Sequence, residues 1–239
     1  MQLTTSQQHK LSKNTAQGYL TAGLTLSPAN ESSRNTCAHS SPGCRVSCLK
    51  TAGRNNYDTH QLARIRRTDL LFNEPDHFYY YLSRELKNLE RRAKKVNLLA
   101  AFRPNILSDL PFEKIFRHMF SDHPDIQFYD YTKNPHRMQK FLDGTDWPWN
   151  YHLAFSLSEN FNNEAHAYSF IRQGGQIAVV FKNESPPRYG LPNHEDELFD
   201  VINGDIHDCL WKHDGGIVIG LIAKGKARKD TTGFVKTEY

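Results

Sequence analysis

From residue 96 onward, strand-like runs recur at a steady interval with other segments between them, and this rhythm restricts the fold more than any other property of the chain. The runs are VNLLAAF (96–102), IQFYDYT (126–132), YHLAFSLS (151–158), QIAVVF (176–181), DVI (200–202) and GIVIGLIA (216–223), preceded by TAGLTLS (21–27). Most are short and rich in β-branched or aromatic residues, as strands are. Segments 110–119, 135–142 and 161–172 read as helical or mixed, whereas 182–199 carries Pro186, Pro187 and Pro192 and reads as loop. Upstream, Asp58 to about Lys95 is helical, with Phe78, Tyr81, Leu82, Leu86 and Leu89 at three- and four-residue steps and a break at Pro75. Parallel strands need long crossovers, usually helices, so the alternation implies an α/β fold with a parallel sheet. An open doubly wound sheet and a (β/α) barrel both fit. The expectation is a parallel-stranded (β/α) barrel, partial or full.

Residues 19–239 then form one barrel-like domain, preceded by a flexible polar arm at 1–18. No run approaches the roughly 18 apolar residues of a membrane span, and the start MQLTTSQQHK lacks a signal-peptide core. A soluble, cytoplasmic protein is expected. Thirty Lys and Arg against 26 Asp and Glu leave a net charge of +4, too mild to imply nucleic acid by itself.

The four cysteines are unevenly placed. Cys37, Cys44 and Cys48 stand together as C-x6-C-x3-C inside a long loop, 28–56, between the first strand and the first helix, and Cys209 is far downstream. A secreted disulfide scaffold is shorter and denser in cysteine. Three thiolates on one loop can share an iron–sulfur cluster, leaving one iron open. Zinc is the rival, because His39 completes a Cys3His set, and Cys209 is a distant fourth ligand for either metal. Three thiols without metal are the bland alternative.

In α/β sheets and barrels, ligands sit at the carboxyl ends of the strands. Those ends collect polar residues: Arg103, Asn105, Ser108 and Asp109; Asp130 and Lys133; Ser156, Ser158, Glu159 and Asn160; Lys182; Asp205, His207 and Asp208; Lys224. Alternation along FYDYTK puts Phe128 and Asp130 on one face and Tyr129 and Tyr131 on the other, with Lys133 as the expected partner of Asp130. His213 reads as a surface histidine. Two basic runs, ARIRR (63–67) and KGKARK (224–229), suit phosphates or a solvated face. The aromatics of YDYTK and DWPWNYH read as core before they read as base-stacking platforms.

Several segments resemble the bacteriophage "gene product 88" family over most of residues 20–235. They are LSPAN, C-x6-C-x3-C-L-x-T-A-G-R, ARIRRT, R-x-N-x-x-S-D-L-P-F-E, QFYDYTKNPHR, YHLAFSLSE, GGQIAVVF, NGDIHD and GLIAKGKA. The loop is also similar to that of radical S-adenosylmethionine (SAM) enzymes, which carry three cysteines after the first strand of a partial barrel, although their usual spacing is C-x3-C-x2-C. That similarity implies a 4Fe-4S cluster on Cys37, Cys44 and Cys48, with the open iron binding SAM.

The reading that follows is an iron–sulfur-binding phage protein, a radical-SAM-like enzyme acting on a nucleotide or nucleic acid. Asp130, Lys133, Glu159, Asp205 and Asp208 take the catalytic positions. Arg103, Asn105, Ser108, Asp109, Ser156, Ser158 and Lys224 hold cofactor or substrate. Two other readings stay open: a zinc-stabilised nucleic-acid-binding protein without turnover, and a metal-dependent nuclease or hydrolase using Asp130, Glu159, Asp205 and Asp208 as oxygen ligands.

Overall fold

A computed structural model describes residues 2–6 and 9–237. The chain opens with β1 (Thr4–Thr5), a short α1 (His9–Ser12) and a 3-10 turn (13–17), then enters β2 (Tyr19–Leu24). A long connection containing only α2 (Pro42–Val46) and two 3-10 turns leads to α3 (Asp58–Asn73) and α4 (Pro75–Lys95). The remaining α-helices and strands are β3 (Leu99–Arg103), α5 (Phe112–Ile115), α6 (His118–Asp122), β4 (Ile126–Thr132), α7 (Pro135–Asp143), β5 (Tyr151–Ser156), α8 (Phe161–Arg172), β6 (Ile177–Phe181), β7 (Arg188–Leu191), β8 (His194–Asn203) and β9 (Val218–Ile222), with 3-10 turns at Leu210–Lys212 and Gly225–Lys229.

These strands make one nine-stranded sheet of order β1-β2-β3-β4-β5-β6-β9-β8-β7. From β2 to β8 every pairing is parallel, and β2 through β6 lie side by side in chain order without reversal. Beyond β6 the order does reverse: the chain crosses to the far edge at β7 and returns through β8 to β9, which pairs with β6. The sheet is open. Antiparallel β1 takes the outer edge of β2, and antiparallel β7 takes that of β8. Those are the two edges a full barrel would have to join, and no ladder links them among the described residues.

Segment 182–199 is a second departure from expectation. It holds β7 and much of β8 rather than loop. Pro186 and Pro187 precede β7, and Pro192 lies in the hairpin turn beside Asn193, whose φ of 64° suits an Asn. The prolines thus flank the strands instead of interrupting them. The expected arm is also anchored where it is described: Thr4 pairs with Leu24, Leu3 and Leu11 are buried, and the Leu3 and Thr4 amides donate to Glu85 on α4 at 2.7 Å.

The helices cover one face of the sheet. Leu24, Phe102 and Phe128 pack against Phe78, Leu82, Leu86 and Leu89 of α4. Leu153, Phe155, Val179 and Val218 pack against Met138 of α7 and Phe170 and Ile171 of α8. The stripe on α4 follows helical periodicity as expected, except that Tyr81 lies outside it, exposed. The break at Pro75 is real, with Pro at the first position of α4, where no amide hydrogen is needed. The opposite face is lined by Ala101, Tyr129, Tyr131, Ala154, Ala178 and Ile219, and is covered by Leu210 and Trp211. Small alanines there leave room for the covering segment.

Candidate functional site

At the carboxyl ends of the parallel strands, a cleft of about 200 Å³ opens between the strand-end loops and the cysteine loop. Arg103, Asn105, Ser108, Asp109, Lys133, Ser156, Asp205 and Lys224 line it, as the strand-end reading expects. Cys37, Cys44 and Cys48 line it too. The same three cysteines also line a second cavity of about 220 Å³, together with Pro28, Arg45 and Lys50. Leu107, Val180, Leu221 and Phe234 give the cleft apolar walls.

The cysteine loop is built from local turns. Ser41 caps α2, its hydroxyl accepting from the Cys44 amide at 3.2 Å, and Pro42 fills the first helical position. Cys37 Sγ lies 3.4 Å from the Leu107 carbonyl. Burial pushes the Cys37 thiol up and that of Cys48 up to about 11, and the neighbouring loop thiols add to both. Burial therefore favours the neutral thiols of Cys37 and Cys48 until a cation compensates their charge. Among the described residues no three His, Cys, Asp or Glu side chains are gathered closely enough to hold a metal ion as they stand.

The two expected fourth ligands lie elsewhere. Cys209 is fully buried, lines neither cavity, and has its thiol pushed up to about 12 by burial. His39 is exposed and lines neither cavity.

The carboxylates placed at catalytic positions do not converge. Asp130 is fully buried on the helix side of β4, beneath the cleft rather than in it. It accepts from the Asn105 amide at 2.9 Å, Asn105 Nδ2 at 2.8 Å and the Tyr151 hydroxyl at 2.7 Å, and Arg103 Nε is 3.9 Å away. Lys133, its expected partner, instead sits in the cleft with its ammonium over the Phe234 ring at 5.3 Å. Burial pushes the Asp130 carboxyl up to about 6, against the pull of Arg103 and Arg137. Asp208 is buried beneath the opposite face, accepting from the Tyr131 hydroxyl at 2.7 Å and Arg103 at 3.2 Å. Arg103 therefore ties both carboxylates together while stacking over the Tyr131 ring at 4.5 Å.

Asp205 holds the Ile222 amide at 2.7 Å and pairs with Lys224. Glu159 does not line the cleft but accepts from Ser41 Oγ and the Gly43 amide, both at 2.7 Å. Ser158 is buried, its amide donating to Asn163 at 2.7 Å, and does not line the cleft either. With Asp130 and Asp208 on opposite sides of Arg103, and Asp205 and Glu159 each held elsewhere, the four carboxylates do not form the oxygen cage that a hard-metal nuclease needs.

The basic runs diverge. In ARIRR, Arg64 is buried against Glu31 in a bidentate pair at 2.7 and 2.8 Å, and Arg67 donates to the Gln2 and Thr25 carbonyls. In KGKARK, Lys224, Lys226, Arg228 and Lys229 are exposed, and Lys224 reaches the cleft lining. His213 is half-buried and stacks on His207 at 5.1 Å. Tyr129 and Tyr131 belong to the core and Trp147 stacks on Tyr151 at 5.2 Å, whereas Trp149 is exposed.

Sequence reasoning missed Arg137, Glu113 and Tyr151. Arg137 is fully buried in the first turn of α7 and binds Asp109 at 2.6 Å, both oxygens of Glu113 at 3.0 Å and the Tyr151 hydroxyl at 2.9 Å. One signal for it existed. Asn134 and Pro135 mark a helix start directly after β4, which sets Arg137 level with the strand-end carboxylates.

A family model described as Gene product 88 matches residues 2–238. No curated protein and no solved structure matches the chain. With a match spanning nearly all of its length, the chain belongs to the Gene product 88 family.

Proposed function

We propose that Cys37, Cys44 and Cys48 hold an iron–sulfur cluster at the cleft and that the protein is a radical-SAM-like enzyme acting on a phosphate-bearing substrate, a nucleotide or nucleic acid. One observation carries this reading: three cysteines of a single loop open onto the cleft at the carboxyl ends of consecutive parallel strands. Three thiols of one loop are the donor set such a centre takes, with Cys209 and His39 outside both cavities and one iron left without a protein ligand; binding requires the loop to draw the three thiols closer than they stand. The parallel run of β2 through β6 in chain order is what supports a partial-barrel frame. When bound, the cluster supplies one-electron reduction to a cofactor at its open iron, with SAM the cofactor that the resemblance implies.

The chain's own residues provide placement and shielding. Leu107, Val180, Leu221 and Phe234 wall the cleft with apolar surface that would shield a bound group from water. Asp109 is locked by Thr132 Oγ1, the Lys133 amide and Arg137, which fixes the floor near the reacting groups. Lys133 and Lys224 bring ammonium groups to the cleft, and Lys226, Arg228 and Lys229 extend positive charge along its rim. This arrangement orients an anionic substrate; the chemistry belongs to the cofactor.

Purification without oxygen, followed by iron, sulfide and zinc analysis, tests the proposal. A brown protein with cluster iron, bleached by Cys44→Ala, is the expected result. A colourless protein carrying one zinc per chain overturns it.

A further inference from the structure

We propose that Glu159 and Asp230 are positioning residues for the cysteine loop, two carboxylates that clamp α2 at opposite ends and set where Cys44 and Cys48 stand over the cleft. The inference deepens the proposed function, since the loop matters most if it carries a metal centre.

The helix bearing Cys44 has five residues, too few to hold its own shape or place in water. Its position therefore comes from what grips it. At the front, Glu159 accepts from the Ser41 hydroxyl through Oε2 and from the Gly43 amide through Oε1, each at 2.7 Å. The same Ser41 hydroxyl accepts from the Cys44 amide, so the carboxylate reaches the cysteine through one intervening atom. At the back, Ser47 donates its hydroxyl to Asp230 at 3.0 Å, and Cys48 is the next residue.

Both anchors are themselves fixed to the sheet. Glu159 lies three residues beyond the end of β5. Asp230 accepts from Thr232 Oγ1 at 2.8 Å and the Val235 amide at 3.1 Å. The segment that follows is tied to β6: the Lys236 amide donates to the Val180 carbonyl at 2.8 Å, and the Lys182 amide donates to the Lys236 carbonyl at 3.0 Å. Gly43 closes the assembly. A Cβ there would lie 2.8 Å from both Glu159 Cδ and Phe234 Cβ and would also strike Thr232, so only glycine lets α2 seat against both anchors. Neither carboxylate lines the cleft. Each acts on it through the cysteines.

Site-resolved alkylation of the metal-free, full-length protein tests the clamp without assuming a cluster. Losing a charge-assisted hydrogen-bond pair should open the loop about tenfold more often. Glu159→Ala and Asp230→Ala should then label Cys44 and Cys48 roughly tenfold faster, with Cys209 labelled at the wild-type rate. Glu159→Gln keeps an acceptor for the Gly43 amide and should recover part of the protection. Unchanged labelling of Cys44 in Glu159→Ala overturns the proposal, as does equal acceleration at all four cysteines, which would mark a general loss of stability. Iron loading of the same variants is read separately. If the wild type takes up no iron, the cluster reading fails, while the labelling result still decides the clamp.

Discussion

Replacing Tyr151 by Phe removes one hydroxyl from the polar network beneath the cleft and leaves the aromatic packing in place. The ring is buried, stacked on Phe120 at 4.7 Å and on Trp147 at 5.2 Å. The hydroxyl donates to Asp130 at 2.7 Å and accepts from Arg137 at 2.9 Å, so two buried charged groups each lose a partner. Asp130 keeps two donors from Asn105, and Arg137 keeps Asp109 and Glu113. With hydrogen bonds to charges at roughly 1.5–3 kcal/mol and partial compensation by the remaining partners, the net cost is about 2–3 kcal/mol. For a chain of this size that lowers Tm by about 5–10 °C.

The cost should also depend on pH in a defined direction. Burial raises the folded-state value of Asp130 from 3.8 to about 6, so the native state binds its proton more readily than the unfolded chain does. Its contribution to stability is therefore fully present below about pH 4 and is lost as pH rises through about 6, a swing of roughly 3 kcal/mol. The Tyr151 hydroxyl counts most when it donates to the ionised carboxylate. Denaturant unfolding of wild type and variant should thus show the full difference at pH 7.5 and a smaller one at pH 5. A difference below about 0.5 kcal/mol at pH 7.5, or one that grows on acidification, refutes the network as described.

Arg64→Ala breaks a bidentate pair in which both side chains are only 3% exposed, and should cost about 3–5 kcal/mol by thermal or chemical unfolding. A loss under about 1 kcal/mol would return ARIRR to the solvated-face or phosphate-binding reading. Joint replacement of Lys226, Arg228 and Lys229 by Ala should leave Tm nearly unchanged and flatten the salt dependence of nucleic-acid binding by up to roughly 0.7–0.9 per lost phosphate contact. Binding that is insensitive to salt in the unsubstituted protein would remove nucleic acid from the proposal.

Much of the sheet is legible from side-chain period alone. Each of the seven strand-like runs coincides with or overlaps a strand, and the split of Phe128 from Tyr129 and Tyr131 is the split between the helix-covered and opposite faces. What period does not carry is pairing across the edges. The β7–β8 hairpin was hidden by prolines that flank its strands, and β1 is two residues long, too short for any pattern. The same limit applies at the site. Strand-end position correctly gathers Arg103, Asp109, Lys133, Ser156, Asp205 and Lys224 around one cleft. It says nothing about depth, so Asp130 and Asp208, one layer below the surface, look the same in sequence as residues that face a ligand. Arg137 shows the converse, a charge that reads as helix surface until its three acidic and phenolic partners are seen to converge on it.

The depth of those charges bears on what the cleft can do. Arg103 is the last residue of β3 and bridges the faces of the sheet, touching Asp208 on one side and approaching Asp130 on the other. Buried pairs of this kind add little net stability over apolar packing, but breaking one leaves a charge unpaired in a dry interior, so the arrangement is held to a single geometry. The floor of the cleft is in consequence stiff, whereas its roof, the connection from 28 to 56, has little secondary structure and is held through Glu159 and Asp230. A centre carried by the roof and a substrate anchored at the floor would keep a fixed separation only while both clamps hold. Asp130, Asp208 and Glu159 lie outside the cleft, whereas Asp109 and Asp205 line it with each bound to a cation, Arg137 and Lys224 respectively. With those carboxylates paired, the ammonium of Lys133 over the Phe234 ring is the charge in the cleft on which the proposed anionic substrate chiefly rests.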